Sequence, residues 1–241
     1  MDLGDYREQI PQFDEGRMHA PTPQYVAWVD VMGAGSSLLR SLSVAANFVM
    51  KLHIAALSVV PHYSDIKLYP MIDGLYCRSG EQPSILGLLK EVFFRLGLTF
   101  VAEREDLHRF CIRGGLAYGP VLTGEDIVSA SDVLSQNSDY CSSILLGITL
   151  TQAFDTSRKA APFGISLDES VRAFAPTGAS VLSGTNWKWW KFVQGGDSLI
   201  PVLKARLTEY QDWCKIHSSS MIYKEERIEA HKKLVMDFFT E

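Results

Sequence analysis

Residues Ile66 to Cys77 read IKLYPMIDGLYC, an apolar and aromatic run broken at its centre by one acid, Asp73, followed by Gly74. β-formers on either side of a glycine-containing turn predict a hairpin, with strands at Ile66–Leu68 and Leu75–Arg78. An acid at such a turn stands at a sheet edge instead of in the core. Working outward, a second acid has similar surroundings in Tyr25 to Gly35, YVAWVDVMGAG. Asp30 closes an apolar strand there, and Gly33 and Gly35 follow. A strand that delivers a carboxylate to its end and then turns through two glycines sets backbone N–H groups beside a metal-binding acid, which is a place to hold a triphosphate.

The bulk properties narrow the classes. The chain has 241 residues, 46% of them hydrophobic, enough for a real core. A net charge of −5 and a pI near 5.7 argue against nucleic-acid binding, which calls for a basic face. The sequence offers no apolar run of the roughly 18–20 residues that cross a bilayer, and its first residues, MDLGDYREQI, are acidic where a signal peptide is basic then apolar. The reading is therefore a cytoplasmic protein with no membrane partner. Cys77, Cys111, Cys141 and Cys214 lack metal-site spacing and read as reduced thiols, and the histidines are too scattered to form a ligand set. GAGSS lacks the third glycine and the following acid of a dinucleotide fingerprint.

Three parts are expected: an N-terminal arm over residues 1–22, a catalytic domain over 23–175, and a C-terminal strand and helical extension over 176–241. The arm is polar and punctuated by prolines. After the strand Tyr25–Val31, Ser36 and Ser37 stand at the expected N-cap of a helix carrying Leu38, Leu42, Ala45 and Val49. A second amphipathic helix is read at Gln82–Gly97. Phe110–Tyr118 follows as a strand whose Gly114-Gly115 pair lets another backbone or a ligand come close. Glu125–Ser143 lacks periodicity and reads as a mobile loop. A helix at Leu146–Lys159 and a short strand at Phe163–Leu167 complete the domain. In the extension, Asn186–Val193 (NWKWWKFV) reads as an aromatic strand, and helices follow at Leu199–Ile216 and Ile222–Phe239, either a solvated cap or a dimer arm.

The order strand, helix, hairpin, helix, strand with two acids at strand ends resembles a class III nucleotide cyclase domain. VDVMGAGSS resembles that family's first metal motif, IKLYPMIDGLYC its central hairpin with the second metal Asp, and IRGGLAYGPVLTG its later Arg-small-Gly strand and turn. The fold this implies is α+β: a ferredoxin-like core with a mainly antiparallel sheet flanked by helices, here with a C-terminal helical extension. Two departures stand out. Adenylate cyclases carry a purine-selecting Lys four residues before the hairpin Asp, where this chain has Tyr69; and the family's later Asn and Arg fall on Thr151 and Asp155, counted from Gly147. What remains resembles the bacterial pyrimidine cyclases of Pycsar anti-phage defence. That resemblance implies a homodimer with active sites at the interface, cUMP or cCMP as product, and a downstream effector that senses it.

Cyclising a nucleoside triphosphate aims the ribose 3′-hydroxyl at the α-phosphorus with pyrophosphate leaving in line. Two Mg²⁺ or Mn²⁺ ions suit that task, and such hard cations want carboxylate and carbonyl oxygens. Asp30 and Asp73 are the expected carboxylates, with the Val31 carbonyl added by analogy with the family. The turn through Gly33, Ala34, Gly35 and Ser36 is expected to hold the β- and γ-phosphates. Arg158, nearly one helical turn past the family's Arg position, is the first choice for a cation on the leaving group; Arg113, which reads as a structural strand residue, and Lys159 are alternatives. The Tyr69 ring is expected to exclude purines and its hydroxyl to meet a pyrimidine edge. UTP is favoured over CTP because cUMP formation is the commoner activity among the resembled cyclases. A cytidylate cyclase and a catalytically silent nucleotide-binding domain are the alternatives.

Overall fold

The computed structural model describes residues 11–240, so the first half of the expected arm lies outside the described residues. Its centre is β1 (Thr22–Val31), whose residues from Tyr25 onward are buried on both faces, as an apolar run without alternation requires. β1 pairs antiparallel with β3 (Gly74–Ser79) on one side and β4 (Ile112–Thr123) on the other. β2 (Lys67–Met71) lies outside β3, β5 (Leu145–Leu146) extends the end of β4, and β6 (Ile165–Leu167) runs parallel to β4. The mainly antiparallel, helix-flanked sheet is the one expected.

One face of the sheet, with Ala27, Val29, Val31, Leu75 and Leu116, joins a single large core with α2 (Leu42–Val59) and α3 (Gln82–Ala102). The other face carries Val26, Trp28, Ala117 and Val121 under Ala153 of α7 (Ile148–Ser157). Glycines let α7 lie so close. A Cβ at Gly115 would stand 2.1 Å from the Ala153 carbonyl oxygen, and one at Gly119 2.8 Å from Thr149 Oγ1. The backbone that the Gly114-Gly115 pair admits is thus that of α7.

Several expectations give way. The first helix begins at Gly33, not at Ser36 or Ser37: α1 (Ala34–Arg40) starts from left-handed Gly33, and Ser41 ends it and caps α2 by accepting from Val44 N–H at 3.4 Å. The segment read as an aperiodic mobile loop holds three short helices, α4 (Gly124–Ile127), α5 (Asp132–Ser135) and α6 (Ser138–Ser142). Four- and five-residue helices are too short to show a period. α4 is fixed by a capping box with Thr123 N–H donating to Asp126 at 2.7 Å, and the arm reaches the 3₁₀ turn after it through Asp14 N–H to the Ala130 carbonyl at 2.9 Å.

Asn186–Val193 is not a strand. Asn186 makes one bridge to Ser166, and Trp189–Phe192 is a 3₁₀ turn that brings Trp187, Trp189 and Trp190 into one core, which strict alternation would prevent. The extension also does more than cap. Leu203, Leu207 and Cys214 of α9 (Gly196–Ile216), and Ile228, Val235 and Phe238 of α11 (Glu225–Phe238), belong to the same core as the sheet, with α10 (Ser218–Met221) between those helices. Finally, Leu42–His62 forms one helical stretch long and apolar enough to cross a bilayer, contrary to the sequence reading. Phe48, Leu52, Ala56 and Val59 bury one side of it in the core, while Met50, Ile54 and Leu57 are exposed on the other.

Gly115→Ala would drive a methyl into the α7 backbone. It is expected to cost about 1–3 kcal/mol, measured as a shift in the urea unfolding midpoint, whereas Gly35→Ala, whose Cβ meets nothing within 4 Å, should be nearly neutral to folding.

Candidate active site

Asp30 ends the central strand, opposite Gly74 of β3 and Arg113 of β4 in register. Its side chain is 7% exposed. Arg113 grips it bidentately, Nε to Oδ1 at 2.9 Å and Nη2 to Oδ2 at 3.0 Å. Asp73 stands at the tip of the β2–β3 hairpin, and the Val31 N–H donates to its carbonyl at 3.1 Å, tying the tip to the end of β1. Burial, and then the like charge of Asp30, push the Asp73 carboxyl above its ordinary range, with Arg113 offsetting part of the rise. The two expected acids therefore converge closely enough to sense each other.

Beside them the chain turns through Gly33, whose φ of 76° is the left-handed region that favours glycine. A Cβ on Gly33 or Gly35 would meet nothing within 4 Å, so open space borders the turn. Ala34 is buried beneath it, and Ser36 Oγ donates to the carbonyl of Ile222 at 3.3 Å, a contact that brings the C-terminal extension onto this turn.

Among the described residues no three His, Cys, Asp or Glu side chains cluster, so a cation here would rely on two carboxylates and main-chain carbonyls. That oxygen-only donor set fits Mg²⁺ or Mn²⁺. So does the charge pattern: two carboxylates brought together at the end of a buried strand attract positive charge, some of which Arg113 supplies. Val31, whose carbonyl completes the expected set, is buried and in register with Ile112.

The other expected residues fall as follows. Arg158 is exposed at the C-terminus of α7, and its side chain makes no hydrogen bond or ion pair among the described residues. α7 runs antiparallel to β4, Thr149 over Gly119 and Ser157 over Gly115, so its Arg158 end lies toward Arg113 and Asp30. Thr151 and Asp155 lie exposed on the same helix. Tyr69, in β2 beside Tyr76, is 6% exposed, and its hydroxyl accepts from Arg78 Nε at 3.0 Å. Arg78 Nη1 also donates to Gln24 at 2.9 Å. The sequence reading offers Arg113 as an alternative cation and a strand residue but gives it no partner. It reads as structural, yet it is the cation in contact with Asp30, a pairing across 83 positions that only the β1–β4 register creates.

No protein-family model matches the chain, and no curated protein does. Among solved structures, a bacterial light-regulated adenylyl cyclase superposes with a TM-score of 0.51 at 12% identity, over 66% of this chain and 47% of that one. The chain carries the fold of nucleotide cyclase catalytic domains. It spans about half the length of that light-regulated cyclase. Two further matches are the guanylyl cyclase domain of the RhoGC fusion protein from the aquatic fungus Blastocladiella emersonii (TM-score 0.47, 15% identity, 64% of this chain and 83% of that one) and an adenylate cyclase from Trypanosoma brucei (0.47, 11%, 68% and 86%). At these identities the likeness is one of fold. In this cyclase fold, Asp30 ends the central strand, and Asp73 stands at the tip of the neighbouring hairpin.

Two consequences concern stability. Arg113→Ala strands a buried carboxylate and is expected to destabilise the chain by about 3–5 kcal/mol in urea unfolding. For Asp73 the sign is opposite: its raised carboxyl means the folded chain holds that proton more tightly than the unfolded chain, so ionisation at neutral pH weakens the fold. In EDTA, Asp73→Asn should melt higher than the parent at neutral pH, with the difference vanishing as the pH falls through the ordinary carboxylate range.

Proposed function

We propose that the chain is a pyrimidine nucleotide cyclase that converts UTP to 3′,5′-cyclic UMP and pyrophosphate. The observation that carries this reading is the convergence of Asp30 and Asp73 beside an open glycine turn on a cyclase fold. The ribose 3′-oxygen forms a bond to the α-phosphorus as the bond from that phosphorus to the bridging oxygen breaks, the hydroxyl proton passes to solvent, and pyrophosphate departs. Asp30, Asp73 and the Val31 carbonyl would hold the two divalent cations. Bound there, Mn²⁺ or Mg²⁺ supplies charge neutralisation at the attacking and leaving oxygens. The residues of the turn, Gly33 to Ser36, receive the β- and γ-phosphates on their amides. With Asp30 engaged in holding a cation, the Arg113 fork would be free to pair a phosphate oxygen, a geometry guanidinium suits. Arg158, unpaired at the near end of α7, is the second cation for the leaving group.

The Tyr69–Arg78 pair supports uracil over cytosine. Arg78 already donates to the Tyr69 oxygen, which polarises the O–H and turns it into a donor. Uracil presents an acceptor at position 4 where cytosine presents a donor, so the match is to uracil. Leu146, Ile148 and Phe154 are exposed at and beside α7, apolar surface that suits a homodimer with active sites at the interface. The resemblance to Pycsar cyclases extends the proposal to phage-triggered signalling through an effector that senses the cyclic nucleotide.

A second reading, a catalytically silent nucleotide-binding domain, is favoured by one observation: Arg113 closes over Asp30 with both arms of its fork. Incubation with Mn²⁺ and each of UTP, CTP, ATP and GTP, with products identified by mass, separates the readings. The expected outcome is cUMP and pyrophosphate, lost by roughly 10²-fold or more in Asp73→Ala. Tight triphosphate binding with no product would establish the silent domain instead. Tyr69→Phe is expected to lower kcat/KM for UTP by about tenfold, the worth of one hydrogen bond, and to change CTP turnover much less.

A further inference from the structure

On the side of the glycine turn where the extension packs, a cavity of about 200 Å³ opens between Met32–Ser37, the loop before β4, α9 and the α10–α11 segment. Polar groups in it are conspicuously unsatisfied. Four buried side-chain nitrogen and oxygen atoms lack any hydrogen-bond partner among the described residues, and three belong to residues lining this cavity: both amide atoms of Gln211 and Nε of Arg109. Gln211 is only 2% exposed. A buried carboxamide with neither donor nor acceptor engaged is a rare arrangement in a folded chain, and a ligand that supplies both partners removes the cost.

The rest of the lining says what kind of ligand. Phe110 is stacked on Phe48 with ring centroids 5.0 Å apart, and Tyr223 closes the cavity from the extension, offering flat apolar surface. The Tyr223 hydroxyl is bonded to His231 Nδ1, and burial with the nearby Arg227 and Arg113 charges holds His231 down to about 4, so it is neutral at ordinary pH. The positive charge of the lining outside the buried Arg109 comes from Lys224 and Arg227, exposed and without an ion pair among the described residues. Aromatic faces, an amide edge offering one donor beside one acceptor, and free cations at the rim are the complement of a nucleotide: a nucleobase presents adjacent donor and acceptor groups on its edge and carries phosphate.

We infer that this cavity is a nucleotide-binding site separate from the Asp30–Asp73 centre, with Gln211 reading the base edge and Lys224 and Arg227 meeting the phosphate. Nothing in it requires a divalent cation, and the inference does not rest on the cyclase reading. Because Gly33, Ser36 and Ser37 line it as well, an occupant bears directly on the turn that borders Asp30.

The test is calorimetric titration of the full chain, in EDTA, with UMP, CMP, AMP and GMP. At least one should bind with one-to-one stoichiometry, and equally well to Asp73→Asn. Gln211→Leu, close in shape but unable to pair, should weaken that binding by about tenfold or more while raising the melting temperature of the unliganded chain, since it removes an unpaired amide. Arg227→Ala, an exposed change that leaves the melting temperature in place, should weaken binding too. The inference is overturned if no monophosphate binds the parent chain, if Gln211→Leu binds as tightly as the parent, or if Asp73→Asn abolishes binding, which would place the nucleotide at the acid pair.

Discussion

The constraint on which the rest of the structure depends is the forced proximity of two like charges at the end of a buried strand. β1 delivers Asp30 to its terminus, and pairing with β3 sets the hairpin tip, and so Asp73, against that same end. A one-residue slip in this register would turn Asp30 to the opposite face, into the main core, where an ionised carboxylate cannot stay. Both the large core on one face and the glycine-permitted approach of α7 on the other lock the register. The fold therefore holds the backbone of the hairpin tip against the end of β1, and so keeps Asp73 beside Asp30.

Arg113 is the cation that offsets the acid pair. Its two bonds to Asp30 supply the charge that the pair lacks, and they do so from the strand on the other side of β1. Behind burial and Arg227, the same positive charge also helps hold the His231 imidazole below its ordinary range. On the proposed function, a charge that neutralised the carboxylates would free the arginine for an incoming anion. That exchange links the stability cost at Asp73 to the chemistry proposed for it.

How much of this was legible in the sequence follows from the range over which each feature is set. Asp30, Asp73 and Gly33 could be read because strand, acid and turn are adjacent along the chain, and the burial of Tyr25–Val31 is written in an uninterrupted apolar run. Arg113 could not be given a partner, because its role arises from register between strands far apart in sequence. Neither could Ile222 and Tyr223 be placed over the glycine turn, since a polar, charged C-terminal helix looks the same whether it caps a domain or covers a site. The short helices between Gly124 and Ser142 carry too few residues for a period, and the Trp187–Trp190 turn defeats a propensity reading because all its aromatics enter one core. The helix break at Ser41 was hidden by apolar residues on both sides of it.

The extension is where the chain gains something a minimal sheet and its flanking helices would not have. By burying Leu203, Leu207, Ile228 and Val235 in the same core as the sheet, it becomes part of the folding unit instead of an appendage. Its connecting segment is then held rigidly enough for Ile222, at φ 51°, to occupy a left-handed conformation that costs a β-branched residue of order 1–2 kcal/mol. That carbonyl accepts the Ser36 hydroxyl. An element packed this firmly, yet leaving Gln211 unpaired beneath it, has traded local satisfaction for a shaped space next to the turn. A fold free to optimise stability alone would have filled that space with an apolar side chain.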